Sequence, residues 1–501
     1  MSWLDAIRRL LGLRSSDEAS PSTPKPLEKP TQAKTENKKT QSGTDQQSKK
    51  KGNRYPLLTG DMTQFPDTSS HSPKQLLTIG LDFGTAFTKV VIGETRTSYA
   101  VPFKFRNLEN PYLLPCILYI DHSGNCSLQP MGEGDQVVTD MKMKLLDGTA
   151  EHQDLVRMVA FIGLILRHTR LWLFENQRTT YEGRYLDWYV NVGVPTDSYH
   201  HETLVKTYHN IIMAAWALSV TPDLVSIHAA NELLSCVPNG RYVLPEKFDS
   251  LREHLIHEEA FGLFPEFVAQ VVGYVRSSLR KPDLHLMVDV GAGTVDISIF
   301  NVYESEGDDI FPIFAKAVKL LGTHFLMTHR NSRIPAGAKI NWSVQDRTPS
   351  QTEFSQACRI QSKQLTVIDN DFIKQLGTTV RDLLKYTKEF RYPCSPRWQD
   401  GIPTFLCGGG ARVDVYSEII RRFENNNHAY KVRVEKLPLP QRLNAPEMSE
   451  NSYTRLSVAY GLSHNAMDIG RIIQANDISD DRTPPRDPDP YSGRYVSKDD
   501  V

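Results

Sequence analysis

Leu76-Leu-Thr-Ile-Gly-Leu-Asp-Phe-Gly-Thr-Ala-Phe-Thr-Lys-Val-Val-Ile-Gly93 reads as strand, tight turn, strand. An apolar run ends in Asp82, a glycine-containing turn follows, and a branched apolar run resumes after Thr88, the pattern of a β-hairpin. The unit recurs about 200 residues on: Leu284-His-Leu-Met-Val-Asp289 and Val295-Asp-Ile-Ser-Ile-Phe300 flank Val290-Gly-Ala-Gly-Thr294. No short-period repeat accompanies it, which argues against a solenoid and for a duplicated α/β lobe.

Both hairpins set Asp at a strand end, small residues in the turn and Thr at its edge. Small turns let backbone amides approach phosphate oxygens, the Thr hydroxyl adds a donor, and the carboxylate can hold hydrated Mg²⁺. One such turn is common and carries little. Two, each after an apolar strand and one lobe apart, carry much more. A third loop follows the strand Thr404-Phe-Leu-Cys407, with Gly408, Gly409, Gly410, Ala411 and Arg412 leading into a helical pattern through Val415, Ile419, Ile420 and Phe423. Strand, glycines, helix is a geometry suited to nucleotide contact.

In this order and spacing the three elements resemble the phosphate 1, phosphate 2 and adenosine motifs of the actin, heat-shock-chaperone and sugar-kinase superfamily. The strongest resemblance is to the nucleotide-binding domain of DnaK-type chaperones. It spans about Leu76 to Asn476 and includes Trp188-Tyr-Val-Asn-Val-Gly-Val-Pro195, Leu321-Gly-Thr-His-Phe325 and Val458-Ala-Tyr-Gly461. The fold it implies is α/β: a two-lobed actin-like ATPase, each lobe a ribonuclease H-like mixed sheet flanked by helices, with nucleotide in the interlobe cleft. The lobes are expected over residues 76–265 and 266–476.

The resemblance also implies roles. Asp82 and Asp289 face Mg²⁺ through water. Gly84, Thr85 and Ala86 cradle phosphates from one side, and Gly291, Ala292, Gly293 and Thr294 from the other. Gly408, Gly409 and Gly410 pass beneath adenosine, with Arg412 near its base or ribose. Glu266 falls where these chaperones carry the glutamate that orients or deprotonates the attacking water. The phosphate-facing lysine is either Lys144, near the chaperone position, or Lys89, seven residues after Asp82 as in actin. Lys363 is the candidate to stack on adenine. Some positions depart from the pattern: Arg359 and Ser362 replace the charged partners expected around Lys363, and Arg455 stands where the chaperones usually carry Asp. Ala292 replaces a glycine, tolerable if its φ is negative.

The bulk properties are those of a globular protein. The 501 residues exceed what one hydrophobic core organises, and 40% hydrophobic and 23% charged residues with a net charge of -1 give no reason to expect a nucleic-acid partner. Six cysteines without a C-x-x-C pair suit a reducing cytoplasm. No apolar run reaches membrane-spanning length, and Met158 to Leu166 reads as a core helix. Residues 1–14 read as an amphipathic helix, with Trp3, Leu4, Ile7, Leu10 and Leu11 on one face. Residues 15–75 read as a disordered linker and 477–501 as a disordered tail. The N-terminal helix suits an anionic membrane surface or a groove on a protein partner, the latter being the partner class expected. His254 and His257 share a helical spacing but have no third ligand nearby in sequence, so a surface pair is expected. Arg330 and Arg333 are expected to be solvated.

Three functions follow as expectations. The first is a chaperone-like ATPase, using ATP/ADP and Mg²⁺, acting as a nucleotide-gated switch on a protein partner. About 25 residues after the last helical motif are too few for a chaperone's substrate domain, which turns that reading away from peptide holding. The second is a membrane-associated, actin-like polymerising ATPase. The third is a small-molecule kinase, for which no acceptor-pocket motif is present.

Overall fold

The structure is a computed structural model that describes residues 62–66, 68–104, 108–195, 201–305, 307–425, 430–473 and 478. The amphipathic helix expected over residues 1–14, the linker up to residue 61, and the tail apart from residue 478 lie outside the described residues.

The opening stretch forms strands β1 (Lys74–Phe83) and β2 (Phe87–Gly93), paired antiparallel with Asp82 opposite Lys89. Leu77, Ile79, Leu81 and Phe83 alternate along β1 and are all buried, as a strand's period of two demands of a face that meets a core. The chain continues through β3 (Ser98–Ala100) and β4 (Leu114–Pro115), then β5 (Leu118–Ile120), β6 (Cys126–Ser127) and β7 (Gln136–Val138), which form a separate three-stranded sheet. Helices α1 (Met141–Leu146) and α2 (His152–Asn176) follow, then β8 (Tyr185–Val194) parallel to β1, α3 (Glu202–Ser219), and β9 (Phe261–Pro265). Residues 158–166 lie buried within α2, so that apolar run is a core helix.

The second half repeats the scheme. After α4 (Glu266–Val275), β10 (Asp283–Val290) pairs antiparallel with β11 (Val295–Ser305), which pairs with β12 (Asp308–Lys319). Helices α5 (Thr323–Ser332), α6 (Gln351–Ala357) and α7 (Ser362–Tyr386) precede β13 (Ile402–Cys407), which lies parallel to β10. Helix α8 (Asp414–Asn425), β14 (Val432–Glu435), β15 (Leu443–Asn444), α9 (Ser457–Leu462) and β16 (Arg471–Ile473) follow, and shorter helices such as Ile227–Ser235 lie between the named elements. The large sheets run β15-β3-β2-β1-β8-β9, with β4 beside β2, and β14-β13-β10-β11-β12-β16. In each, a hairpin's first strand has an antiparallel partner on one side and a parallel one on the other, so the duplication read from the two hairpins is present in the topology.

Each large sheet has its own apolar core, and a third core joins them. The third takes Val91 and Ala100 from the first sheet, Met287, Phe300 and Phe405 from the second, and the apolar faces of α4 and α9. At this joint α9 lies so close to β1 and α4 that two positions have no room for a side chain. A Cβ on Gly461 would come within 1.8 Å of the Ala269 carbonyl oxygen, and one on Gly80 within 2.2 Å of that of Ala459.

Two readings are corrected. The fold begins before Leu76: Thr63 and Phe65 are buried, Trp188 Nε1 donates to the Thr63 carbonyl at 2.9 Å, and the Gln64 amide both donates to and accepts from the Leu186 backbone. A side-chain amide there stands in for a neighbouring strand. Arg330 is not solvated but fully buried, its guanidinium bonded to Asp369 on α7 at 2.9 and 2.7 Å. A charge without water persists in a core only when paired in this way. No described helix is long and apolar enough to cross a membrane.

Candidate active site

The β1–β2 turn, the β10–β11 turn, the loop after β13, α1, the start of α4 and the segment before α9 all line one cavity of about 750 Å³. The two turns present their backbone to it in the same sense. In the first, Cys116 holds the outer side: its amide donates to the Ala86 carbonyl at 2.9 Å and its thiol to that of Gly84 at 3.0 Å. In the second, the amides of Gly322, Thr323 and His324, at the start of α5, donate to the carbonyls of Gly293, Gly291 and Ala292 at 3.2, 3.1 and 2.8 Å. A trans peptide sets each N–H opposite the preceding C=O. With those carbonyls engaged, the amides of Thr85 and Phe87, and of residues 292–294, turn away from the groups that brace them. Consecutive amides so directed form a concave anion site. Ala292 has no positive φ, so its methyl group is accommodated without strain.

The acidic groups of the cavity are unequally neutralised. Lys89 Nζ contacts Asp82 Oδ2 at 2.8 Å, and Lys142 Nζ contacts Glu266 Oε1 at 2.5 Å, which leaves Glu266 Oε2 without a partner among the described residues. Burial pushes the Lys142 ammonium down, but Glu266, Tyr208 and Asp82 together raise it further than burial lowers it, so it stays charged. Asp289 has no such cation. As a residue it is half-buried, yet its Oδ1 is enclosed and has no hydrogen-bond partner. Burial first, then the negative charges of Glu266 and Asp82, push its carboxyl up to about 7, against weaker opposing pulls from Lys89 and the Gln270 amide. Gly408 lies directly against it. Its φ of +81° and the 2.2 Å separation between a Cβ there and Asp289 Oδ1 both require glycine.

Of the residues named from sequence, the cavity wall contains Asp82, Gly84, Thr85, Ala86, Lys89, Glu266, Asp289, Gly291, Ala292, Gly293, Thr294, Gly408, Gly409, Gly410 and Arg412. Lys144 and Lys363 are not in it. Lys144 is half-exposed and paired with Asp154 at 2.8 Å, and Lys363 is exposed on α7. The lysine that α1 presents is Lys142, only 4% exposed. The signal for it was present: at about 100° per residue, Lys142 falls inside the arc spanned by Met141, Leu145 and Leu146, and Lys144 falls outside. Gln270, one helical turn beyond Glu266, and Arg455 also line the cavity without having been assigned a role.

Among the described residues no three His, Cys, Asp or Glu side chains cluster closely enough to hold a metal ion directly. The carboxylates fit a hydrated cation instead, because the orphaned Asp289 oxygen and the mutual repulsion of Asp82, Glu266 and Asp289 both call for positive charge between them.

No protein-family model matches the chain, and no curated protein matches it in sequence. Among solved structures it is similar to two of MreB5 from Spiroplasma citri, one bound to AMPPNP and one to ADP. Each is 14% identical, covers 77% of this chain and 94% of that chain, and superposes with a TM-score of 0.40 or 0.39 respectively.

Proposed function

We propose that the cavity binds Mg-ATP and hydrolyses it, as the interlobe cleft of an actin-like ATPase. The observation that carries this reading is the convergence on one cavity of two braced turns, the unpaired Asp289 oxygen and Glu266 at the start of α4. The amides of the first turn, with Thr85, hold phosphate oxygens from one side, and those of the second, with Thr294, from the other. Asp82 and Asp289 would hold hydrated Mg²⁺, which neutralises charge on the phosphates when bound. Gly408 to Gly410 provide a surface without side chains for the nucleoside, beside Arg412. Lys142 fixes the Glu266 carboxylate, whose second oxygen orients the attacking water and accepts its proton. Preorganised donors of this kind stabilise the transition state without reorganising.

The test is direct. Purified protein is titrated with ATP and Mg²⁺, and hydrolysis is followed in wild type and in Glu266→Gln. The variant is expected to bind ATP with little change and to lose about two orders of magnitude in turnover, the usual scale of a positioned general base. Equal turnover by the two would remove Glu266 from the reaction; no ATP binding by folded wild type would remove the function.

The output of such a cycle is a conformational change, and two forms of it fit. The amphipathic pattern of residues 3–14 favours a membrane-associated polymerising ATPase. A nucleotide-gated, chaperone-like switch on a protein partner is the other. Sedimentation with Mg-ATP in the presence and absence of anionic vesicles distinguishes them: nucleotide-dependent pelleting marks the polymer, and a non-pelleting ATPase marks the switch.

A further inference from the structure

Arg455 ends the segment that leads into α9 and lies in the cavity wall. Its guanidinium carbon is 5.1 Å from the centre of the Phe87 ring, immediately past the first turn. A Cβ built on Gly409 would lie 3.7 Å from Arg455 Nη2. The guanidinium therefore spans from the first turn to the glycine loop, and the preceding residue of that loop, Gly408, touches Asp289. It makes no hydrogen bond and no ion pair with any described residue.

Its charged neighbours sharpen the point. Arg412, of like charge, donates to the Ser452 hydroxyl at 2.9 Å. Burial first, then the like charge of Arg412, hold the Arg455 pKa down to about 10, with Glu109 opposing weakly. At neutral pH Arg455 is still a full cation. Two guanidinium groups meet at the cavity wall, Arg455 partly buried and Arg412 exposed, and with no carboxylate bonded to Arg455 they leave room for an anion. The Phe87 ring face satisfies only one surface of a planar group whose N–H donors lie in its edge.

We infer that Arg455 is a ligand of the nucleotide's phosphate chain, making the site selective for nucleoside di- and triphosphates over nucleosides and slowing release of the diphosphate product. The inference rests on the nucleotide reading of the cavity and adds to it the group that sets phosphate affinity. A guanidinium presents two parallel donors that match phosphate oxygens, which a lysine in the same place cannot do. The guanidinium borders the first turn through Phe87 and the proposed nucleoside surface through Gly409, which is where phosphates and nucleoside would join.

The test compares wild type, Arg455→Gln and Arg455→Lys by calorimetric titration with adenosine, AMP and ADP in the presence of Mg²⁺, with thermal melting as the check on folding. Loss of charge-assisted hydrogen bonds is expected to weaken ADP binding roughly 10- to 100-fold in Arg455→Gln. Adenosine affinity falls far less than ADP affinity, because the guanidinium borders the nucleoside surface at Gly409 but its charge-assisted bonds go to phosphate. Arg455→Lys recovers part of the ADP affinity. Unchanged ADP affinity in Arg455→Gln overturns the inference. So does an equal loss for adenosine and ADP, which would show Arg455 to be a prop for Phe87 and the cavity wall. Folded wild type that binds none of the three overturns the nucleotide reading itself, and this inference with it.

Discussion

Asp289→Asn is expected to stabilise the ligand-free protein at alkaline pH while removing its response to Mg-ATP. The enclosed Oδ1 has no partner, and burial together with Glu266 and Asp82 carries the carboxyl up to about 7, from an ordinary value of 3.8. Because the folded pKa exceeds the unfolded one, the folded state retains its proton longer. The stability this lends is whole below about pH 4 and is lost as pH climbs through about 7. A gap of roughly three pK units corresponds to about 4 kcal/mol, of which about 2.5 kcal/mol falls between pH 5 and pH 8. Water reaching the half-buried residue reduces this to about 1–2.5 kcal/mol. For roughly 400 folded residues the melting entropy is on the order of 0.8 kcal/mol/K, so the expected shift is about 1–3 °C. Asn has nearly the same shape and does not titrate. Melting curves of wild type and variant, without nucleotide or divalent cation, are therefore compared from pH 5 to pH 8. The melting temperature of the variant minus that of wild type should widen by about 1–3 °C over that range. A difference constant with pH refutes the argument that Asp289 is destabilised by its surroundings. Added Mg-ATP should reverse the order, raising wild type and leaving the variant behind.

Lys142→Met is expected to lower ATP turnover about 10- to 100-fold with a smaller effect on ATP affinity, since it frees the Glu266 carboxylate from its fixed position. Lys144→Met, which removes only a half-exposed pair with Asp154, should leave turnover unchanged; the reverse result would return the phosphate-facing role to Lys144. Asp369→Ala leaves the Arg330 guanidinium buried without its counter-charge and is expected to destabilise by about 3–5 kcal/mol, while replacing both by apolar residues of similar volume should cost far less. Melting curves of the single and double variants decide this, and equal losses would show that packing rather than charge governs the site.

The hairpins were legible because their signals are local. An Asp, a small-residue turn and a Thr between two apolar runs specify a strand pair within twenty residues, and two copies one lobe apart revealed the duplication. What escaped depends on residues far apart in the chain. Arg330 looked solvated because Asp369 is 39 positions away on another helix. Its apolar neighbours one turn back, Leu326 and Met327, are both buried and were the available hint that this face of α5 turns inward. The start of the fold was set too late for a similar reason. Thr63, Gln64 and Phe65 sit in a polar stretch whose average composition reads as linker, yet three side chains suffice to dock it when Trp188 and the open edge of β8 supply the partners.

The second turn shows why motif recognition and mechanism separate here. From sequence, Gly291 to Thr294 reads as a phosphate turn and Leu321-Gly-Thr-His-Phe325 as a separate stretch of the resemblance, with nothing to connect them. In the fold the second is the brace of the first: three successive amides at the start of α5 bind three successive carbonyls of the turn. Gly322 is the point of closest approach, since a Cβ there would lie 2.4 Å from the Ala292 carbonyl oxygen. The far end of the same helix carries Arg330, tied to α7 through Asp369. A rigid element held at one end by the turn and at the other by a buried ion pair cannot follow a movement of either alone. A displacement of the turn is therefore expected to be felt at α7 through this helix.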